Sequence, residues 1–389
     1  MGKNLIDNDN SKFESFKKDF KKINEGSFSQ CYQCGTCGIV CPLSSENKPF
    51  PRKEMVLTQW GMTDQIEHSL DPWLCYYCGQ CSEKCPRQAK PGELMMSLRR
   101  WLITRYDWTG LARLFYTSSI AEFFALILVA FFVLVDWSVL FGLNPAISSK
   151  TTLNQILPPE KIHLFFDLPV AIILSLLLIS FIVNMYYKTV LSDKTVKIPI
   201  SLYFTTIGIL VWHFITQWKF SDCAKDTKSF LKDLSSGKYN YWIIHFILMT
   251  SYTSLFVGIL FFLSWFQTDN QFKLLHTVLY DYYASIGLII GTIYFAFQRI
   301  KKSSERSKTS QHTDWAFIVL LFFTAITGVL IRLFIVYNYS LQLIFYIYLI
   351  HLLIAIPMLV VEVPFSKWSH LAYRPLAIYF NELKNKSVS

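Results

Sequence analysis

The sequence predicts an all-α protein in two parts, a polar head followed by a bundle of six transmembrane helices. Two observations predict this. Of 389 residues, 52% are apolar and only 16% charged, whereas ordinary soluble domains are about 25% charged. The apolar excess is uneven: residues 1–110 are polar, while 115–365 carry repeated uncharged stretches long enough to cross a bilayer. A single soluble globule is thereby excluded. The net charge of +10 does not indicate nucleic acid, because most Lys and Arg lie between hydrophobic segments, where membrane topology requires them.

The head, residues 1–110, holds eight of the nine cysteines. Cys31-Tyr-Gln-Cys34-Gly-Thr-Cys37-Gly-Ile-Val-Cys41-Pro42 is repeated in spacing by Cys75-Tyr-Tyr-Cys78-Gly-Gln-Cys81-Ser-Glu-Lys-Cys85-Pro86. This is C-x2-C-x2-C-x3-C-P twice, the run that holds [4Fe–4S] clusters, and its fourth cysteine ligates the other cluster. One cluster is therefore assigned to Cys31, Cys34, Cys37 and Cys85, and the second to Cys75, Cys78, Cys81 and Cys41. Structural zinc uses four ligands in two pairs and fits the duplicated run poorly. Phe50–Leu70 reads as helical from the spacing of Met55, Val56, Gln59, Trp60 and Ile66. With no alternating strand pattern, an α-helical ferredoxin-like head is expected. Met1–Lys22 has no apolar core and does not read as a secretory signal, so a cytoplasmic head is expected. Cys223 stands alone and reads as a buried or idle thiol.

Six spans are expected at about 115–141, 164–187, 241–266, 275–298, 314–337 and 341–363, forming the second domain, 111–389. Ile200–Trp218 is uncharged but carries Ser201, Thr205, Thr206, His213, Thr216 and Gln217, and reads as an amphipathic interfacial helix. Parity favours six spans. Segments 188–240, 299–312 and 364–389 then share the side of the head and hold eight, five and four Lys plus Arg. The opposite side holds only Lys150, Lys161 and Lys273. This positive-inside asymmetry places head and C-terminus in the cytoplasm, on an inner membrane.

Ionisable residues within spans default to functional readings. His245 lies near the cytoplasmic start of the third span and His276 opens the fourth on the outer side. His351 and His370 are 19 residues apart, roughly 28 Å along one ideal helix, which would put one imidazole near each face. Since neutral imidazole is an axial haem ligand, His245 and His370 form the expected inner haem b pair. His276 and His351 form the outer pair, and His213 is a spare candidate. Asp281 and Arg332, near the outer face, read either as an ion pair or as groups holding the polar end of a quinone. Glu122, Asp136 and Glu362 read as interfacial residues at span ends, and His68, His163 and His312 as surface residues.

The head, with its runs ending in Cys41-Pro42 and Cys85-Pro86-Arg87, resembles the small iron–sulfur C-type subunit of heterodisulfide reductase. The bundle resembles the b-type cytochrome of heterodisulfide reductase and the γ subunit of respiratory nitrate reductase. That likeness rests on Asp314-Trp-Ala-Phe, Thr327-Gly328, and His351-Leu-Leu through Pro364-Phe-Ser-Lys-Trp-Ser-His370. A fusion of the two resembles the C-type membrane subunits of quinone-interacting membrane-bound oxidoreductase (Qmo) complexes. The resemblance implies electron relay between menaquinone, b-type haem, two [4Fe–4S] clusters and soluble flavin/iron–sulfur subunits related to the A-type subunit of heterodisulfide reductase, linked to adenylylsulfate reductase in sulfur metabolism. In the nitrate reductase relative, two haem histidines stand ten residues apart on the second span. Here His245 matches the first and Leu255 stands at the second, so either His276 replaces that ligand or one haem is bound. The paired Cys-Cys-Gly module of the disulfide-cleaving relatives is absent, which implies that the chain does not cleave disulfides itself; it reads as a subunit of a quinone-dependent complex rather than a stand-alone enzyme. Two competing readings are the membrane subunit of a heterodisulfide- or sulfite-reductase-type complex, and a haem-free anchor for a soluble redox enzyme.

Overall fold

The computed structural model describes residues 14, 16–24, 27–148, 150–193, 196–217, 239–266, 271–302 and 305–388; Cys223 lies outside them. Among the described residues no strand forms, and the only β feature is an isolated bridge between Ser45 and Lys48. The fold is all-α, as expected.

In the head, the stretch read as one helix is two, α1 (Arg52–Gln59) and a short helix Thr63–Glu67. Gly61 separates them at φ 66°, a left-handed conformation that glycine adopts without the Cβ penalty. The principal head helix, α2 (Pro91–Tyr106), starts on a proline, whose missing N–H costs nothing in a first turn. It stops at Asp107, whose carboxylate accepts from the N–H groups of Thr109 and Ala112, both at 2.7 Å. That turn feeds the short helix Leu111–Thr117 and then the membrane part.

The remaining long helices are α3 (Ser119–Phe141), α4 (Pro159–Leu191), α5 (Ile200–Thr216), α6 (Asn240–Phe266), α7 (Gln271–Lys301), α8 (His312–Val336), α9 (Leu341–Phe365) and α10 (His370–Val388). Six of them, α3, α4, α6, α7 from His276, α8 and α9, are long and apolar enough to cross a membrane. They match the expected spans closely. Neighbours pack in the order α6, α7, α8, α9, α3. α9 is the bundle's core helix, burying Phe345, Tyr348, Leu352 and Ile356. α3, by contrast, exposes Phe123, Phe124, Ile127, Leu128 and Phe131, the pattern of a lipid-facing helix. α5 is inverted relative to a soluble amphipathic helix: Thr206 and His213 are buried while Phe204, Val211, Trp212 and Ile215 face out. It packs on α10, where Tyr379 Oη donates to the Tyr203 carbonyl at 2.8 Å.

His351 and His370 do not share one helix. α9 carries Pro357, widens into a π-helical turn at Met358–Glu362, and ends after Pro364. Ser366 is extended, and a tight turn at Lys367–Ser369 leads into α10 at His370. Two prolines remove backbone donors within eight residues, and the helix cannot continue.

Head and bundle share one core. Tyr373 of α10 meets Trp73 at 5.2 Å and Tyr106 at 5.5 Å between ring centroids, and Phe181 and Met185 of α4 join the same cluster. Beside it, Asp314 of α8 binds Lys367 at 2.7 Å and Arg100 of the head at 3.0 Å, with Arg299 at 3.9 Å. Glu122 and Glu362, expected at the interface, are buried under this junction because the head and α10 cover the ends of α3 and α9. Glu122 contacts His312 at 3.3 Å, and Glu362 accepts from Ser366 Oγ at 2.6 Å. Asp136 and His68 are exposed as expected, while His312 and His163 are half-buried.

Candidate redox centres

The two cysteine runs share one backbone path. In each, the second residue after the leading cysteine (Gln33 at φ 65°, Tyr77 at φ 53°) and the fourth (Gly35 at φ 85°, Gly79 at φ 88°) are left-handed. Such conformations are strained for residues other than glycine and cluster at functional sites. They curl the chain so that its N–H groups point at sulfur. Gln33 N donates to Cys31 Sγ at 3.4 Å, and Tyr77 N to Cys75 Sγ at 3.3 Å. N–H donors of this kind stabilise thiolate charge and tune a cluster.

The thiols gather across the runs. Burial first, and then the thiols of Cys31, Cys34 and Cys85, push Cys37 up to about 11. Cys41 is pushed up to about 12, chiefly by burial, with Cys75 and Cys78 adding to it. Cys81 is raised by burial and by Cys75, Cys78 and Cys41. Crowded, desolvated thiols of this kind need bound positive charge to ionise. Cys41, Cys75, Cys78 and Cys81 also line one cavity of about 380 Å³. Among the described residues, no three His, Cys, Asp or Glu side chains are placed to hold a single metal ion.

The head is an iron–sulfur dicluster domain. Residues 27–89 match the family described as "4Fe-4S dicluster domain". The chain is 31% identical over 93 residues to a protein of Archaeoglobus profundus that is itself like the C-type subunit of heterodisulfide reductase, covering 24% of this chain and 50% of that one. It is 38% identical over 73 residues to the second C-type iron–sulfur subunit of CoB–CoM heterodisulfide reductase of Methanocaldococcus jannaschii, covering 19% and 39%. With the C-type subunit of an H2:CoB-CoM heterodisulfide,ferredoxin reductase of Methanothermobacter marburgensis it shares 33% over 78 residues, covering 20% and 42%. The chain thus spans half or less of each of these relatives. No solved structure matches it.

Below the head lies an inner cavity of about 1290 Å³, lined by residues of α2, α6, α7, α8 and α10, by the turn after α9, and by Trp73, Tyr76 and Tyr77 of the head. His245 and His370 both line it, with ring centroids 6.3 Å apart. A metal bonded at about 2 Å to each of two imidazoles requires a separation of that order. Both rings are oriented from behind. His245 Nδ1 meets Gln217 Oε1 at 2.8 Å, and His370 Nδ1 bonds the Lys367 carbonyl. Both partners are acceptors, so each Nδ1 carries the proton and each Nε2 the lone pair. Burial, and then His245, lower His370 to about 3, leaving a neutral ring. A smaller cavity of about 310 Å³, lined by His213 and Gln217, also reaches both imidazoles. Both cavities thus touch both imidazoles. Arg99, Arg100, Arg374 and Lys367 supply cationic groups to the same wall. The residues fit a bis-histidine haem. His213 is buried and lines the smaller cavity.

A second, outer cavity of about 1110 Å³ holds His351, Asp281 and Arg332 among mostly apolar side chains. Arg332 Nε binds Asp281 Oδ2 at 2.8 Å, and its Nη2 donates to Thr277 Oγ1 at 2.9 Å. Thr327 Oγ1 meets His351 Nδ1 at 2.8 Å, and Gly328 lies against the ring. The expected His276–His351 pair does not form. His276 is exposed, bonds the Phe272 carbonyl of its own helix, and lies outside this cavity's lining. Thr277 and Asp281, four residues apart, face Arg332; one residue back, His276 is rotated by about 100°. Leu255, where the nitrate reductase relative has a histidine, lines the cavity instead.

Sequence reasoning missed Gln217 and Thr327 as orienting groups, and Arg99, Arg100, Arg374 and the Tyr76-Tyr77 pair as cavity walls. The one signal available was the basic content of α2, which is unusual in a buried helix.

Proposed function

We propose that the chain is a membrane electron-transfer subunit that relays electrons between menaquinone or menaquinol and soluble flavin/iron–sulfur partners. The single observation carrying this reading is the stacking of an outer polar-tipped cavity, an inner bis-histidine cavity and two cysteine sets along one molecule. In the reading, Cys31, Cys34, Cys37 and Cys85 hold one [4Fe–4S] cluster, Cys41, Cys75, Cys78 and Cys81 the other, and His245 with His370 a haem b. These groups, when bound, supply one-electron redox chemistry. The outer cavity, with one imidazole, suits a quinone better than a second haem: Asp281 and Arg332 meet its polar head, and His351, fixed by Thr327, accepts a proton from the quinol.

The basic loops support a cytoplasmic head and C-terminus in the inner membrane. The partner class follows from the heterodisulfide reductase relatives, and adenylylsulfate reductase is the proposed terminal partner. The test is addition of a menaquinol analogue to the anaerobic, mildly oxidised protein. Rapid bleaching of the iron–sulfur absorbance is expected, slowed roughly a hundredfold in His351→Ala with iron content unchanged. Absence of any menaquinol-driven bleaching in the unaltered protein sinks the reading.

A further inference from the structure

The two cysteine sets are not equivalent. Tyr76 and Tyr77, the two residues between Cys75 and Cys78, line both the cavity bounded by Cys41, Cys75, Cys78 and Cys81 and the inner cavity of His245 and His370. One dipeptide of the cysteine run is the wall between them.

Two buried arginines tie that wall to the membrane side. Arg99 donates through Nε to the Pro72 carbonyl at 2.6 Å and through Nη2 to the Cys75 carbonyl, and it lines the inner cavity. Arg374, one helical turn beyond His370, lies 4.9 Å from the Tyr76 ring centroid and lines the same cavity. The other set shows the opposite character. Cys34 is exposed, Cys31 and Cys85 are half-buried and Cys37 is buried, against two buried (Cys75, Cys81) and two half-buried (Cys41, Cys78) thiols in the first set; the sharper difference is that none of Cys31, Cys34, Cys37 or Cys85 lines either cavity. Tyr32 and Ile39, within that run, are exposed at 60% and 86%.

We infer that Cys41, Cys75, Cys78 and Cys81 form the membrane-facing set, coupled to the inner cavity through Tyr76 and Tyr77, and that Cys31, Cys34, Cys37 and Cys85 form the outward set that meets the soluble partner. The inference rests on the cluster assignment proposed above. Each set changes by one electron at a time, with no bond made or broken on the chain. The donor on the membrane side is a quinol, and the counterpart at the outward set is a soluble one-electron flavin or iron–sulfur centre. Because the sets cross the runs, Cys85 belongs outward although its run faces the membrane, and Cys41 belongs inward although its run faces out.

The test uses the full chain in detergent under anaerobic conditions, with iron release to ferricyanide and the hydrophilic chelator bathophenanthroline disulfonate followed over time. The unaltered protein is expected to release its cluster iron in two phases of about equal size, eight irons in all for two cubanes. Cys34→Ser and Cys85→Ser lose the fast phase, and Cys78→Ser and Cys41→Ser lose the slow one. Menaquinol-driven bleaching of the remaining cluster persists in the first pair and disappears in the second. Two variants per set keep the assignment readable if one fails to fold. Loss of the slow phase in Cys34→Ser, or grouping of Cys85 with Cys78, overturns the inference. A protein without acid-labile sulfide overturns the cluster assignment itself, and iron release is read the same way whether or not haem is bound.

Discussion

At the scale of single residues, the head's stability carries a carboxyl that folding keeps out of water. Glu54 is 1% exposed, and burial, with Asp71 adding to it, pushes its carboxyl well above the usual range. Asp71, despite its own burial, is lowered by Lys53, 3.0 Å away. The two act in opposite directions. A raised folded value favours the protonated form, so Glu54's contribution is full below the unfolded glutamate value and is lost as pH rises through the raised one. Asp71's contribution is present above the unfolded aspartate value and is lost as pH falls through its lowered one. Glu54→Gln is therefore expected to raise the melting temperature of the cluster-loaded protein at pH 8 by a few degrees, a gain of about 1 kcal/mol, and to give a smaller gain at pH 6. Thermal unfolding at the two pH values checks this; an equal gain at both contradicts it.

The two cysteine runs were legible residue by residue, because a spacing of two and three intervening residues is a local property. The His245–His370 pair was legible only through shared membrane depth, which two helices' positions along the chain happen to report. His276 shares the expected depth but not the facing: depth is encoded in position along a span, while facing is decided by which neighbour packs where. Gln217 had no signal at all, since its role depends on α5 ending beside α6.

At the scale of elements, the six spans follow from composition, and the breaks in them do not. Pro357 and Pro364 mark a weak point in α9, yet nothing local fixes that the chain turns at Ser366 and restarts at His370. The seam between α6 and α7 depends on glycine. A Cβ added to Gly291 would lie 2.7 Å from Leu248 Cδ1, and one on Gly287 would run into Ser251 Oγ. Leu248 also lines the inner cavity, three residues beyond His245. Gly291→Ala is expected to push α6 away from α7, costing about 1–3 kcal/mol, and to loosen the seat of His245. Denaturation together with bound haem content would detect it; unchanged values for both would show that the seam tolerates a methyl group.

At the scale of the whole molecule, the head is not a tethered passenger. Its core continues through Trp73, Tyr106 and Tyr373 into the bundle, and Asp314 gathers cations from head, α7 and the turn after α9. Removing that carboxylate leaves buried positive charges facing one another. Asp314→Ala is expected to destabilise the junction by roughly 3–5 kcal/mol, seen as faster proteolysis between residues 107 and 118. Wild-type protease resistance would contradict it. Asp314 stood in the sequence only as part of a resemblance; the structure supplies its physical work.

The central claim is that one molecule aligns a bis-histidine cavity beneath two cysteine sets. The most direct measurement is the reduced-minus-oxidised spectrum of the anaerobically purified protein, taken with pyridine haemochrome and iron and sulfide analysis, for the unaltered chain and for His245→Ala, His370→Ala and His276→Ala. B-type haem bands are expected in the unaltered protein and in His276→Ala, with their loss in His245→Ala and His370→Ala while cluster iron and sulfide are retained. Full haem in His245→Ala and His370→Ala, or no haem in the unaltered chain, would contradict it.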